Sequence, residues 1–421
     1  MKTGDRTQES GVDIARPAFP RLSPVTCLLF CVACLLLAGC ASLDSLSSPF
    51  RRTPPRPGRT SLGEKLVIVP TKAIGNFLIV EAKWDRYGPY HFLVDTGSSV
   101  TLVTPALAKR YASKDAPPAD APRVRVLSAD GRTTELAPTT LRQLELGQAR
   151  FDDVFALVYD CAALSAHLGI KIDGILGFPL FRETLLTLDY PHARVLLQST
   201  RSLAAIPGTA IPLHDASKTP LISLRLGDRT FVALIDSGSD APLSLNPVGL
   251  DPSFASAPRT GATVGTLTGE RPQHIGRLAE TLTIGDHRLP RPIVDLTDEL
   301  SALGGEILKN FSVTFDQEHD RVYFHRDTRD VIVSPPRRSA GVSFSKTPAY
   351  WRIAGVVPGS PADTAEIKPG DLVTHLNGEP VAKWELHRYE QLVASSATIA
   401  FRFLEGVHDK VKDVPVFDLV P

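Results

Sequence analysis

Phe92-Leu93-Val94-Asp95-Thr96-Gly97-Ser98-Ser99 recurs, little changed, as Ala233-Leu234-Ile235-Asp236-Ser237-Gly238-Ser239-Asp240. In each copy an apolar run reads as a β-strand, and the Asp-Thr/Ser-Gly behind it reads as a sharp turn that leaves a carboxylate at the strand's end. A single Asp-Ser-Gly or Asp-Thr-Gly is commonly no more than a turn. Two copies on equivalent strands need a common explanation, and the residues after each supply it.

Aligned without gaps, Gly174-Ile175-Leu176-Gly177 through Leu186-Thr187-Leu188-Asp189 overlays Ser301-Ala302-Leu303-Gly304 through Val313-Thr314-Phe315-Asp316. An alternating strand with a Gly turn stands between each Asp loop and this segment, Leu144-Glu145-Leu146-Gly147-Gln148 in one half and Leu282-Thr283-Ile284-Gly285-Asp286 in the other. One unit is therefore present twice.

Over residues 63–330 the pattern resembles the aspartic peptidases, and among them the bacterial retropepsin-like family with both halves fused in one chain. The resemblance implies a mainly β fold of two related lobes, each offering one Asp. By that resemblance Asp95 and Asp236 are the catalytic pair. Thr96, Gly97, Ser98, Ser237, Gly238 and Ser239 support the two loops, and Ile175-Leu176-Gly177 and Ala302-Leu303-Gly304 brace them. Two carboxylates sharing one proton supply both the base that activates water and the acid that a departing amine needs, because close like charges cannot ionise together. The resemblance has the Thr96 and Ser237 hydroxyls cross-linking the loops. Ser98 and Ser239 are placed to donate to the outer carboxylate oxygens, which would lower the pKa values and set an optimum on the acid side of neutral. Asp240 stands where the first loop has Ser99. Pointing inward it would raise the pair's proton affinity; pointing away it would be neutral to the pair or cap a local amide.

Val124 to Arg132 alternates into Asp-Gly, a hairpin signal. In the resembled fold this hairpin is the flap, with Ala129-Asp130-Gly131 at its tip and a counterpart around Val264 to Gly269. No Tyr is present on it, unlike the flap of pepsin-like enzymes.

Behind Ser334-Pro335-Pro336-Arg337-Arg338 the text changes. Val356-Val357-Pro358-Gly359-Ser360-Pro361-Ala362-Asp363, Lys368-Pro369-Gly370-Asp371-Leu372-Val373 and Leu376-Asn377-Gly378 resemble bacterial PDZ domains. The resemblance implies a long helix over Lys383 to Val393 and a carboxylate-binding loop at Gly341-Val342-Ser343-Phe344, where a chain terminus adds to a sheet edge. Glu366-Ile367 replaces a Gly usual before the Lys-Pro-Gly-Asp turn.

The remainder speaks to address. Lys2, Arg6, Arg16 and Arg21 precede an apolar run, Val25 to Gly39, of about 15 residues, short of the ~20 a spanning helix needs. Leu37-Ala38-Gly39-Cys40 resembles the lipobox of bacterial lipoproteins, with Cys40 as the lipidated residue; the alternative is a short uncleaved anchor. Either puts the rest outside the cytoplasm, and Ala41-Ser42 after the Cys suggests the outer membrane, facing the periplasm. Four of the five Cys lie at or before Cys40, so Cys161 alone remains, read as a small buried hydrophobe.

Lys plus Arg equals Asp plus Glu at 46 each, which argues against nucleic acid as a partner. His-Glu-x-x-His, Gly-x-Ser-x-Gly and phosphate loops are missing from the sequence, and His319 with His325 lacks further ligands nearby, so no metal or cofactor is expected. The expected order is a signal peptide with lipobox over 1–40, a tether over 41–62, lobes over 63–200 and 201–332, and a PDZ domain over 336–421. The expected activity is that of a membrane-tethered aspartic endopeptidase with a polypeptide in the cleft and a peptide or protein terminus at the PDZ groove. The alternative is a non-catalytic binding lipoprotein on the same fold.

Overall fold

The computed structural model describes residues 58–421 apart from 129–130, 203–204, 215–218, 267–268, 348 and 406–407. The leader and Cys40 lie outside the described residues, as do Ala129 and Asp130 of the flap tip.

Each repeated stretch forms the central strand of a lobe. Tyr87–Asp95 pairs antiparallel with Phe77–Trp84 on one side and runs parallel to Gly174–Gly177 on the other, with Leu93 opposite Ile175 and Asp95 opposite Gly177. Arg229–Ile235 repeats the arrangement between Leu221–Leu226 and Ala302–Leu303, with Leu234 opposite Ala302. These registers match the ungapped alignment residue for residue. The apolar runs are buried on both faces near the Asp, where Phe92, Leu93 and Val94 are at most 2% exposed. Removing side chains of this size from water stabilises the fold by about 1.5–3 kcal/mol each. The two Gly turns are hairpin turns, Leu146 pairing with Ala149 and Ile284 with His287.

The lobes share one sheet. Leu66–Ile74, Arg194–Ser199 and Thr184–Asp189 come from the first half; Ser312–Asp316, Arg321–His325 and Thr209–Pro212 continue it in mirrored order from the second. At its centre Thr184–Asp189 and Ser312–Asp316 pair antiparallel, Thr187 facing Thr314. Beneath the braces Phe178 meets Phe315 edge to face at 5.3 Å, so one apolar core runs through both halves.

Residues 59–62, expected within an extended tether over 41–62, are part of the first lobe's sheet. Arg59–Leu62 forms a strand against Ala149–Asp152, because an exposed edge of the first lobe offers backbone groups that the extended chain can satisfy. Two short helices, Pro105–Tyr111 and Ala162–Leu168, precede the expected flap hairpin and the brace in sequence.

The C-terminal part has its own core of Trp351, Ile353, Val373, Phe401 and Val414 among others, inside a sheet that begins with Val342–Lys346 and Trp351–Val356. Its long helix spans Leu386–Ser395 rather than Lys383 to Val393, since Val381–Lys383 is taken up by a 3-10 turn. Glu366 adopts φ 55, so the position where Gly is usual keeps its left-handed geometry with a side chain on it. This domain is lashed to the second lobe. Phe417–Val420 pairs with Arg337–Ser339 at the domain's own start, and from there Leu419 and Val420, with Val357, form a separate small core with Ile275 and Ile293 of the lobe. Arg277 donates to the carbonyls of Arg291, Ser334, Pro335 and Pro421 at 2.9, 2.9, 3.2 and 2.6 Å. No described helix is long and apolar enough to cross a membrane.

Candidate active site

The two strand ends bring Asp95 and Asp236 side by side, with a hydrogen bond between their carboxyl groups. What holds them is a reciprocal lock beneath. Thr96 N–H donates to Ser237 Oγ at 2.9 Å and Ser237 N–H to Thr96 Oγ1 at 3.1 Å. Each hydroxyl passes its own proton to the opposite strand, Thr96 Oγ1 to Ile235 O at 2.7 Å and Ser237 Oγ to Val94 O at 2.8 Å. Thr96 and Ser237 are buried, so every one of these groups needs its partner. Thr or Ser is required because only a hydroxyl accepts and donates at once.

The glycines set the closeness. A Cβ on Gly97 would stand 2.5 Å from Asp236 Oδ1, and one on Gly238 would stand 2.6 Å from Asp95 Oδ2. Gly177 and Gly304, ending the braces, lie equally tightly against the backbone at Val100 and Ala241. Ile175 and Leu303 are buried beside Leu93 and Ile235, Leu176 beneath Val94, and Ala302 is half-buried.

The Ser98 and Ser239 hydroxyls do not serve the carboxylates. Ser98 Oγ donates to Val100 O at 2.7 Å, and Ser239 Oγ accepts from Ala241 N–H at 3.3 Å. The tight turn points each hydroxyl along its own chain, and backbone amides take the expected place. Ser98 N–H donates to Asp95 Oδ1 at 3.1 Å, and Gly238 N–H to Asp236 Oδ1 at 2.9 Å. The electrostatic consequence also departs from the sequence expectation. Burial, then the charge of Asp236 and the bond to it, hold the Asp95 carboxyl protonated well above the ordinary carboxylate range. Burial raises Asp236 as well, against the Gly238 amide and the Asp95 proton that favour its charged form. Desolvation outweighs the amide donors at both.

Asp240 acts on the PDZ helix. Its main-chain carbonyl accepts from Asn76 Nδ2 at 2.9 Å, and its charge acts on Glu390 of the PDZ helix, whose carboxyl burial and Asp240 together push up. Val124–Leu127 pairs with the start of Thr133–Leu146 in the hairpin expected to be the flap. Gly131 at its tip, φ +73, lies against the Glu299 carboxylate, so the hairpin reaches from the first lobe to the second. The counterpart hairpin joins Arg259–Thr266 to Gly269–Arg277.

Asn76, Glu299 and Gln317 belong to no motif of the sequence. Gln317 donates to Phe178 O at 3.1 Å, steadying the turn behind the first brace. The aligned residue in the first half is Tyr190, so the duplication carries no mark of it. Among the described residues no group of His, Cys, Asp or Glu is arranged to hold a metal ion. Cys161 is buried, its thiol pushed up to about 12 by burial, and the PDZ loop residues Gly341, Val342, Ser343 and Phe344 lie together at the start of the edge strand Val342–Lys346.

Comparison with protein families matches residues 80–180 to the aspartyl protease model and residues 352–401 to the PDZ domain model. The chain thus carries an aspartyl protease domain of the retropepsin-like kind and a C-terminal PDZ domain. The first match contains Asp95, the flap hairpin and the brace ending at Gly177; Asp236 lies beyond it, joined to it by the geometry above. No curated protein matches the chain.

Proposed function

We propose that the protein is an aspartic endopeptidase in which Asp95 and Asp236 act on a polypeptide held between the lobes beneath the flap. The two matched domains support a protease-type function with a PDZ domain beside it. The observation that carries the finer reading is the hydrogen-bonded carboxyl pair, buried and locked from below by Thr96 and Ser237. In this reading Asp236, the charged member, takes a proton from a water as the oxygen attacks the peptide carbon. Asp95 donates its proton to the carbonyl oxygen, and the tetrahedral adduct collapses with proton transfer to the leaving amine. The backbone amides of Ser98 and Gly238 hold the carboxyl planes for this exchange.

The PDZ domain, in the same reading, receives a peptide or protein terminus along Val342–Lys346. Lipidation at Cys40 would tether both domains to the outer membrane on its periplasmic side, with 41–57 as the spacer. Incubating the protein with a denatured protein mixture across pH, beside Asp95→Asn and Asp236→Asn, tests the catalytic claim. Cleavage by the parent alone is expected; equal cleavage by all three would assign the activity elsewhere, and none from the parent would leave a binding role.

A further inference from the structure

The strand on which a PDZ ligand would add is not free. Among the described residues Val342–Lys346 has one strand partner, Trp351–Val356. One of its faces sends Phe344 into the PDZ core, 5.2 Å from the Trp351 ring and 5.3 Å from that of Tyr389. The other sends Ser343, a residue of the carboxylate-binding loop, to the second lobe, where its hydroxyl and that of Thr263 lie 2.9 Å apart. Only the open edge remains, and helix Ala162–Leu168 of the first lobe lies against this strand.

Lys346 marks the contact. Its side chain is buried at 6% exposure, packs beside Gly169 at the helix end, and sits 4.7 Å over the Trp351 ring. Among the described residues its ammonium has no hydrogen-bond partner, and burial pushes it down to about 8 against the pull of Glu390 and Glu385. A buried ammonium without a partner is a cost that undocking removes. The helix is also part of the catalytic lobe. Leu164 and Leu168 share a buried cluster with Val126 and Leu136 of the flap hairpin and with Leu93 and Ile175 beside Asp95.

We propose that helix Ala162–Leu168 masks the ligand edge of the PDZ domain, so that docking of this domain on the lobes and capture of a polypeptide with a free carboxyl terminus exclude each other. The proposal rests on the reading of the PDZ groove as a terminus-binding site and is independent of catalysis. A ligand strand must lie along the edge of Val342–Lys346, the strand against which the helix packs, and its entry frees the helix that supports the flap base. The structure is then the resting form, and a terminus at the groove is the signal that alters the cleft.

The test uses the Asp95→Asn protein, so that the probe survives, and a fluorescein-labelled pool of decapeptides with apolar last residues and free carboxyl termini. The same pool with amidated ends is the control. Thr263→Arg pushes the domains apart without changing any residue of the PDZ strand; Thr263→Cys with Ser343→Cys closes a disulfide across the docked contact, with the single-Cys proteins beside it. Expected are binding of the free-carboxyl pool about tenfold or more tighter to Thr263→Arg than to the parent, and no binding to the oxidised double-Cys protein until it is reduced. Amide exchange should quicken in both 162–168 and 342–346 in Thr263→Arg. Equal affinity in parent, Thr263→Arg and oxidised lock overturns the mask while keeping the PDZ reading. Absence of free-carboxyl binding to Thr263→Arg, with exchange already quickened, overturns both.

Discussion

Thr187 and Thr314 face each other at the centre of the sheet that joins the lobes, their hydroxyls 2.8 Å apart and buried. They are the same position of the duplicated unit, so the pseudo-twofold relation between the halves passes between them. Replacing one by Val strands the other hydroxyl in an apolar layer, at about 1–3 kcal/mol. Replacing both removes donor and acceptor together and is expected to be nearly neutral. Urea unfolding of Thr187→Val, Thr314→Val and the double variant should therefore be strongly non-additive; additive losses would show that the pair contributes nothing as a pair.

Gly97 and Gly238 are required by approach, each placing its Cα against the opposite carboxyl. Gly97→Ala must push Asp236 off its bond to Asp95, while the lock between Thr96 and Ser237 below still forms. The expected outcome is a loss of activity of about a hundredfold or more with a folded protein, since displacements of about 1 Å at reacting groups cost this much. Turnover set against the unfolding midpoint checks it. Loss of both together would instead mark the glycine as structural.

How much of this is written locally decides how much is legible. A strand running into Asp-Thr-Gly, its brace, and the hairpin turns at Gly147 and Gly285 are short-range patterns, and duplication doubles their signal. The directions of the Ser98 and Ser239 hydroxyls are fixed by turn geometry that composition does not encode. Asp240 finds Glu390 and Thr263 finds Ser343 across long stretches of chain, and Arg277 gathers carbonyls from three separate segments. Docking of the PDZ domain is made of such contacts, each an ordinary surface residue in its own neighbourhood. Sequence reading therefore gives the two domains and misses their junction.

Glu366 offers a test of a departure that the sequence does show. Its φ of 55 is a conformation that costs a side-chain-bearing residue about 1 kcal/mol relative to Gly, and the side chain is exposed. Its carbonyl still accepts from Lys412 Nζ at 3.0 Å, a contact that Gly would keep. Glu366→Gly is expected to leave stability unchanged or raise it by up to about 1 kcal/mol, the relief of strain working against the freer unfolded chain. Calorimetry of the two proteins decides; a clear loss would mean that the Glu side chain holds the turn.

The sign of the carboxyl shifts fixes how the protein should respond to pH. Both Asp95 and Asp236 bind protons more tightly folded than unfolded, because burial opposes their charge. For acids raised in this way the stabilising contribution is full below the unfolded value, about 4, and is lost as pH rises through the folded values. Asp95→Asn cannot titrate and is spared that loss, so it should be more stable than the parent near neutral pH and about equal to it below pH 4. Activity should follow the same pair. The singly protonated form is bounded below by the first deprotonation and above by the second, and with both displaced upward the rate maximum belongs above the ordinary carboxylate range. The sequence alone, crediting Ser98 and Ser239 as donors to the charged form, leads to the opposite shift. Unfolding midpoints of parent and Asp95→Asn between about pH 3 and 8, with kcat/KM for a peptide over the same span, separate the two. A maximum below about pH 3.5, together with a parent that is stabilised relative to Asp95→Asn on going to neutral pH, would mean that amide donors and not burial govern the pair.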